Sequence, residues 1–431
     1  MPSSSPLLAA DAIESPAMRQ AGAGLLSLAL MDARNHTLQL LTLHEQAAAQ
    51  DADEALPSPG TEAEDLFPIP DAQPLWLAGY AGWFAERWIG RNTQRNLGPA
   101  CPVQPMRLAS IQPQADSWWN PRLQTQDGAA TTELPDTEAT RAYLLETLES
   151  TLELLDKAAP GDAALYFYRL ALQHEDLCGE ALVVQAQAQG VPLTIDLPAA
   201  IPPAEAVMLP SAPWTLGLGH AAGGSGFAFD IEQGHQQTLV PEFEIDAHPV
   251  SWAQYVEFVA DGGYDREALW HPAGWAWLQG ADGGQARRAP RYVDRIGAAN
   301  GAVMLTRFGK PMRMAGQQLA MHLSWWEADA WCRWAGRRLP SEAEWEMAAL
   351  HGARQGFRWG DVHEWVANTL HPWEGFLPGP WSRYASPFVG RARVLRGASF
   401  ATRRRMKHPR FRGFALPAWD AGFVGFRSCS I

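Results

Sequence analysis

The stretch that most constrains this chain runs from His322 to Glu346, H-L-S-W-W-E-A-D-A-W-C-R-W-A-G-R-R-L-P-S-E-A-E-W-E, because it writes two helices and their ends in succession. Trp325, Trp331 and Trp334 recur with Ala328, Ala330 and Ala335 at helical spacing, and Gly336 stands where that helix should stop. Leu339-Pro340 closes the element, and Ser341 with Glu344 three residues on is a capping box that opens a second helix on Trp345 and Met347. Beyond Trp359 the periodicity dissolves into Gly, Pro, Trp and Arg. Aromatic packing and arginine hydrogen bonds, rather than long ladders, must then hold the domain together.

Upstream, helical periodicity dominates. Ala21 to about Gln50 reads as one long helix and Pro74 to Ile89 as a second, with Trp76, Tyr80, Trp83, Phe84 and Trp88 on one broad side. Asp136–Lys157 and Asp162–Gln189 complete a bundle of four helices with one long crossover. Residues 1–20 read as a flexible arm, 21–190 as the bundle, 191–212 as a proline-rich linker and 213–431 as the second domain. Gly280–Gly301 reads as a loop, and Trp118-Trp119 has no assignment.

The balance of 34 basic against 47 acidic residues gives a net charge of -13, which argues against nucleic acid or an anionic membrane as partner and leaves small molecules. No basic leader precedes an apolar core, and no window approaches the roughly 20 apolar residues of a span. Four scattered cysteines fit free thiols in a reducing compartment, so the expected location is the cytoplasm.

Four segments carry a resemblance: His322–Glu346, G-D-V-H-E-W at 360–365, R-V-L-R-G-A-S-F-A-T-R at 393–403 and G-F-V-G-F-R at 422–427. Together with P-W-T-L-G-L-G from Pro213 and the run from His248 to Tyr264, they resemble the formylglycine-generating-enzyme fold, an irregular C-type-lectin-like α+β domain. Formylglycine generation needs two cysteines after R-V-L-R-G, where Ala401, Thr402 and Arg403 to Arg405 stand instead, so that activity is rejected. A DinB-like bundle ahead of this fold is the architecture of the ergothioneine sulfoxide synthases and selenoneine synthases. A-G-Y-A-G-W-F-A-E-R-W at 78–88 and H-E-D-L-C-G-E at 174–180 resemble that family's two ligand-bearing helices.

The resemblance implies an oxidoreductase with non-haem Fe(II) on three histidines, coupling a sulfur or selenium donor, such as a thiol or a selenosugar, and O2 to the imidazole of hercynine. Only His174 keeps a histidine, with Cys178 and Tyr80 at the other two ligand positions and Glu180 as the trailing acid. A His174/Cys178/Tyr80 iron site and a metal-free core both remain open, with His36 and His44 as substitute ligands. Departure at the ligand positions inclines the expectation toward the selenium branch. A metal-poor relative that binds a betaine or peptide without turnover is the alternative. The family's tunnel segments place Trp365, Trp373, Arg396, Arg403, Trp419 and Asp420 at the substrate pocket, where aromatic faces would hold a trimethylammonium. Tyr384 and Trp373 are the candidates for the proton-donating position.

Overall fold

A computed structural model describes residues 11–50, 73–121, 133–218, 226–280, 287–297 and 302–431. The bundle is built from α1 (Ala23–Gln50), α2 (Pro74–Ala85), α4 (Thr137–Asp156) and α5 (Asp162–Gln189), with a short α3 (Ala115–Trp119) in the crossover. Local chemistry sets the ends: the Asp136 carboxylate accepts from the Ala139 amide at 2.8 Å to start α4, and Gly190 closes α5 in the left-handed region at φ 71°. α2 runs into one π-helical turn, Glu86–Gly90. The unassigned tryptophans belong to α3, whose Trp119 is fully buried against Gly79; a Cβ there would lie 2.0 Å from the indole Nε1.

Residues 16–20, expected within a loose arm, form a 3-10 turn capped by Ser15. Arg19 explains its order, since its guanidinium is buried and grips Glu232 of the second domain through two hydrogen bonds of 2.6 and 2.9 Å. The proline-rich connection ends in β1 (Val207–Leu209), which pairs antiparallel with β4 (Phe243–Ile245). β2 (Ala212–Leu216) pairs with β3 (Gln236–Val240). In the Gly280–Gly301 region expected as a loop, Val293–Ile296 forms β5 and pairs with β6 (Val303–Arg307), itself paired with β7 (Lys310–Met314). Its flanking residues 281–286 and 298–301 lie outside the described residues.

The central sheet has the order β10 (Gly413–Ala415), β9 (Arg393–Gly397), β8 (His363–Thr369), β11 (Val424–Phe426), with β11 parallel to β8 and the other pairs antiparallel. α6 (Trp252–Ala260), α7 (Pro272–Gly280), α8 (Trp325–Trp334) and α9 (Glu342–His351) surround it. α8 and α9 open on capping boxes from Ser324 with Glu327 and Ser341 with Glu344, and Gly336 beyond α8 adopts φ 65°. Between these short elements, buried arginines satisfy irregular backbone. Arg427 forks onto Glu364 at 2.5 and 2.8 Å and also donates to the carbonyls of Asp246, Ala247 and Arg358.

One apolar core is continuous from the bundle into the second domain, joining Phe84 and Leu182 to Phe229, Phe411 and Phe423. Ion pairs reinforce this seam: Asp176 on α5 receives a bidentate Arg405 at 2.7 and 2.7 Å. Among the described residues, no helix is long and apolar enough to cross a membrane, and all four cysteines are free and buried.

Candidate functional site

Helix α5 organises the site because consecutive acids on it point to different partners. Glu175 turns into the bundle and takes Arg34 of α1 through bonds of 2.6 and 3.0 Å. Asp176 holds Arg405, as above. Glu180 reaches the second domain, where it accepts from His363 Nε2 at 2.9 Å, Ser399 Oγ at 2.6 Å and Thr402 Oγ1 at 2.8 Å. Burial works to raise the Glu180 pKa, yet the charge of His363 and these hydrogen bonds outweigh it and bring it below the ordinary glutamate range. The motif 174–180 is therefore also the spine that fastens one domain to the other.

His174 and Cys178, one turn apart, meet with Nδ1 and Sγ 3.8 Å from each other. Phe84 stacks on the imidazole at 3.6 Å between centroids, while Tyr80 and Trp381 meet it edge-on at 4.7 and 5.2 Å. Burial, followed by the charges of Glu175 and Asp176 among its causes, pushes the Cys178 thiol well up. It raises the Tyr80 phenol as well, with the Cys178 charge next in weight. Burial alone drives the His174 pKa well down, so the ring is neutral. The three sequence-predicted ligands thus share one dry compartment. Metal–nitrogen and metal–sulfur bonds of about 2.1 and 2.3 Å at a tetrahedral angle put two donors roughly 3.6 Å apart, close to the separation of Nδ1 and Sγ. The donor chemistry fits one first-row ion, provided that the thiol and phenol lose their protons to it.

Farther along α5, on the seam, lies a cavity of about 100 Å³ lined by aromatic faces including Phe229, Tyr384, Phe411 and Trp419, with Glu180, His363 and Arg412 as its charged or ionisable groups. Leu177 and Ala181, which flank the Cys178 turn, form its bundle wall.

Comparison with known proteins bears on this arrangement. Residues 198–361 match the sulfatase-modifying factor enzyme 1-like domain, starting inside the proline-rich stretch. The hercynine oxygenase of Mycolicibacterium smegmatis is 29% identical, covering 82% of this chain and 90% of that protein. The hercynine oxygenase of Mycolicibacterium thermoresistibile is 26% identical over 93% and 94%. The formylglycine-generating enzyme of Streptomyces coelicolor is 32% identical, but over only 40% of this chain and 56% of its own length. Over most of its length the chain is similar to the hercynine oxygenases.

The expected pocket residues divide into groups. Trp419 and Tyr384 line the cavity. Trp373 sits behind Arg412, whose guanidinium carbon lies 4.2 Å over its ring. Tyr384 stacks on Trp381 at 4.4 Å, which leaves it one ring removed from His174. Burial, then the charge of Asp230, holds its phenol well above the usual range. Trp365 and Arg396 are elsewhere: Trp365 is fully buried and donates its indole N–H to the Leu323 carbonyl, while Arg396 pairs with Glu346 beneath Trp345. Arg403 joins Glu14 and Asp32 at the seam, and Asp420 pairs with Arg287 and Arg291.

His44 has both ring nitrogens in contact, with the Leu182 carbonyl at 3.0 Å and Gln189 at 3.1 Å. His36 lies beside Gly179 with its pKa lowered to about 4, by burial first and then by Arg403. Trp381 and the trio His363, Ser399 and Thr402 were not singled out from sequence. Trp381 and Tyr384, three apart in W-S-R-Y, were visible as a pair of aromatics on one turn.

Proposed function

We propose that this protein is an oxidoreductase of hercynine-oxygenase type, forming a carbon–sulfur or carbon–selenium bond on the imidazole of hercynine with O2, and that His174, Cys178 and Tyr80 hold its iron. The observation that carries this reading is that α5 bears both His174 and Cys178, met by Tyr80 of α2, and one wall of the aromatic cavity. When bound, iron would supply the redox chemistry that activates O2 and accepts the imidazole. Everything else falls to the chain. Phe229, Phe411 and Trp419 offer faces for a trimethylammonium, and Glu180 adds an anionic wall. Packing of Phe84 and Trp381 against His174 keeps water from its ring faces. Tyr384 is placed to keep its proton until a developing base on the substrate takes it, because burial and Asp230 both disfavour its anion.

A second reading, a metal-poor relative that binds the betaine without turnover, is favoured by one specific observation: burial raises both the Cys178 thiol and the Tyr80 phenol, which keeps both donors protonated. Elemental analysis of protein purified without oxygen separates the two: about one iron per chain supports the enzyme, and none refutes the ligand assignment. Calorimetry tests the pocket. Histidine, lacking three methyl groups, should bind on the order of 2 kcal/mol more weakly than hercynine, about thirty-fold, and equal affinities would remove the betaine pocket.

A further inference from the structure

Nine arginines are buried among the described residues, and eight of them hold a carboxylate: Arg19, Arg34, Arg91, Arg169, Arg396, Arg405, Arg412 and Arg427. Arg307 is the exception. It ends β6, is 3% exposed, and has no acidic partner among the described residues. One nitrogen, Nη2, points to the Met321 sulfur at 3.0 Å, a weak acceptor, while Nε and Nη1 meet no acceptor among those residues. The guanidinium carbon lies 5.9 Å from the ring centres of both Phe400 and Phe423.

A buried cation with no anion is a standing expense for a fold, because desolvation is not offset by a partner. Burial pulls the Arg307 pKa down to about 10, still charged at neutral pH. The residue is nevertheless held firmly in place. On either side of it, the Thr306 carbonyl accepts from Gln187 Nε2 at 2.9 Å and the Phe308 amide donates to Gln187 Oε1 at 3.0 Å, pinning the strand end to α5.

The only non-glycine residues at positive φ among those described are Tyr292, Phe308 and His322, at 64°, 47° and 64°. All three border this spot. Phe308 follows Arg307, His322 follows Met321 and feels the Arg307 charge, and Tyr292 meets the His322 ring edge-on at 4.7 Å. Strain of this kind persists where the surroundings over-determine it, and it gathers at ligand sites. Phe423 lines the aromatic cavity as well as the guanidinium, so the two are neighbours across one ring.

We propose that Arg307 anchors an anion subsite at the domain seam, adjoining the aromatic cavity and suited to the carboxylate of a small substrate. The neutral, apolar frame of Met321, Phe400 and Phe423 favours a singly charged planar carboxylate, which matches the guanidinium fork, over a doubly charged phosphate. Assigning that carboxylate to hercynine rests on the function proposed above; the anion subsite itself does not.

The test compares the full chain with Arg307→Met and Arg307→Lys, each checked for folding by circular dichroism. Acetate, titrated at constant ionic strength, should raise the melting temperature of the natural protein, raise that of Arg307→Lys less, and leave Arg307→Met unmoved. Without ligand, Arg307→Met should melt at or above the natural protein, since an uncompensated charge has been removed. Inorganic phosphate stabilising where acetate does not would overturn the carboxylate assignment, and insensitivity of the natural protein to both would overturn the subsite. In calorimetry, hercynine should bind at least tenfold more tightly than its decarboxylated analogue, a preference that Arg307→Met abolishes. Equal binding of the two by the natural protein would refute the hercynine carboxylate as occupant. Failure of hercynine to bind at all would refute the betaine pocket, while the acetate titration still decides the fate of Arg307.

Discussion

Removing the Glu180 carboxylate should loosen the two domains from each other. Three donors converge on it, His363 Nε2, Ser399 Oγ and Thr402 Oγ1, at 2.9, 2.6 and 2.8 Å. In Glu180→Ala each loses this acceptor and keeps only the longer contacts of Thr402 Oγ1 with Ser399 Oγ at 3.2 Å and His363 Nε2 at 3.4 Å, and a buried donor left without an acceptor costs about 1–3 kcal/mol. Water can enter the adjoining cavity and relieve part of this, so the expected loss is about 3–5 kcal/mol. Glu180→Gln keeps the shape and one acceptor oxygen, and the two hydroxyls can rotate to accept from the new amide, so the expected loss is only about 1–2 kcal/mol.

Urea unfolding followed by tryptophan fluorescence measures the difference, and hydrogen exchange over residues 395–406 locates it. A Glu180→Ala protein within about 1 kcal/mol of the natural one, with unchanged exchange there, would refute the fastening role. The linkage to pH has a definite sign. Because the folded pKa is below the unfolded value of 4.5, the contribution of Glu180 is complete above that value and disappears as pH falls through the folded pKa. Glu180→Gln should flatten that acid limb.

Other outcomes follow from the same structure. Asp176→Asn breaks a buried bidentate pair with Arg405 and should destabilise by about 3–5 kcal/mol, read by thermal unfolding. Gly79→Ala drives a methyl group into Trp119 and should lose about 1–3 kcal/mol with a red-shifted emission as that indole is displaced; an unchanged melting temperature would contradict the close packing. Cys178→Ala should remove iron from protein loaded without oxygen while trimming only about 1 kcal/mol of stability, and retention of iron would show that the thiol is packing alone. His408, lowered to about 4 by burial and then by Arg19, should make stability fall as pH drops from about 6.5 toward 4, and His408→Gln should reduce that slope.

The elements that were legible in the sequence are those whose signals are local. Ser324 with Glu327 and Ser341 with Glu344 announce their helices within four residues, and Asp162–Gln189 is a single long period closed by a glycine. β5 was missed because Val293 and Ile296 are separated by the charged Asp294 and Arg295, so that the pattern reads as polar loop, and the strand exists through pairing with β6 across a bulge. Residues 16–20 read as an arm because nothing nearby calls for order; Arg19 finds its partner Glu232 only 213 positions away.

The site divides along the same line. A motif on one helix announces that His174 and Cys178 share a face, and the fold brings Tyr80 to them. Part of what surrounds them comes from a chain-distant loop, so Trp381 carries no local signal, whereas Trp365, in a stronger motif, lies on β8 with its indole N–H on the Leu323 carbonyl. An H-E-D-L-C-G-E helix carries two duties that sequence alone does not separate. Asp176 and Glu180 are committed to Arg405 and the His363 cluster, where changes would unfasten the domains, while Glu175 holds Arg34 within the bundle. His174 and Cys178, one turn apart, face the compartment formed by Tyr80, Phe84 and Trp381. Substitution at the second of them should therefore change the donor set proposed for the metal without disturbing the architecture. A cysteine there leaves the packing of α5 intact, because Asp176 and Glu180, not position 178, make the ion pairs and hydrogen bonds that cross the seam.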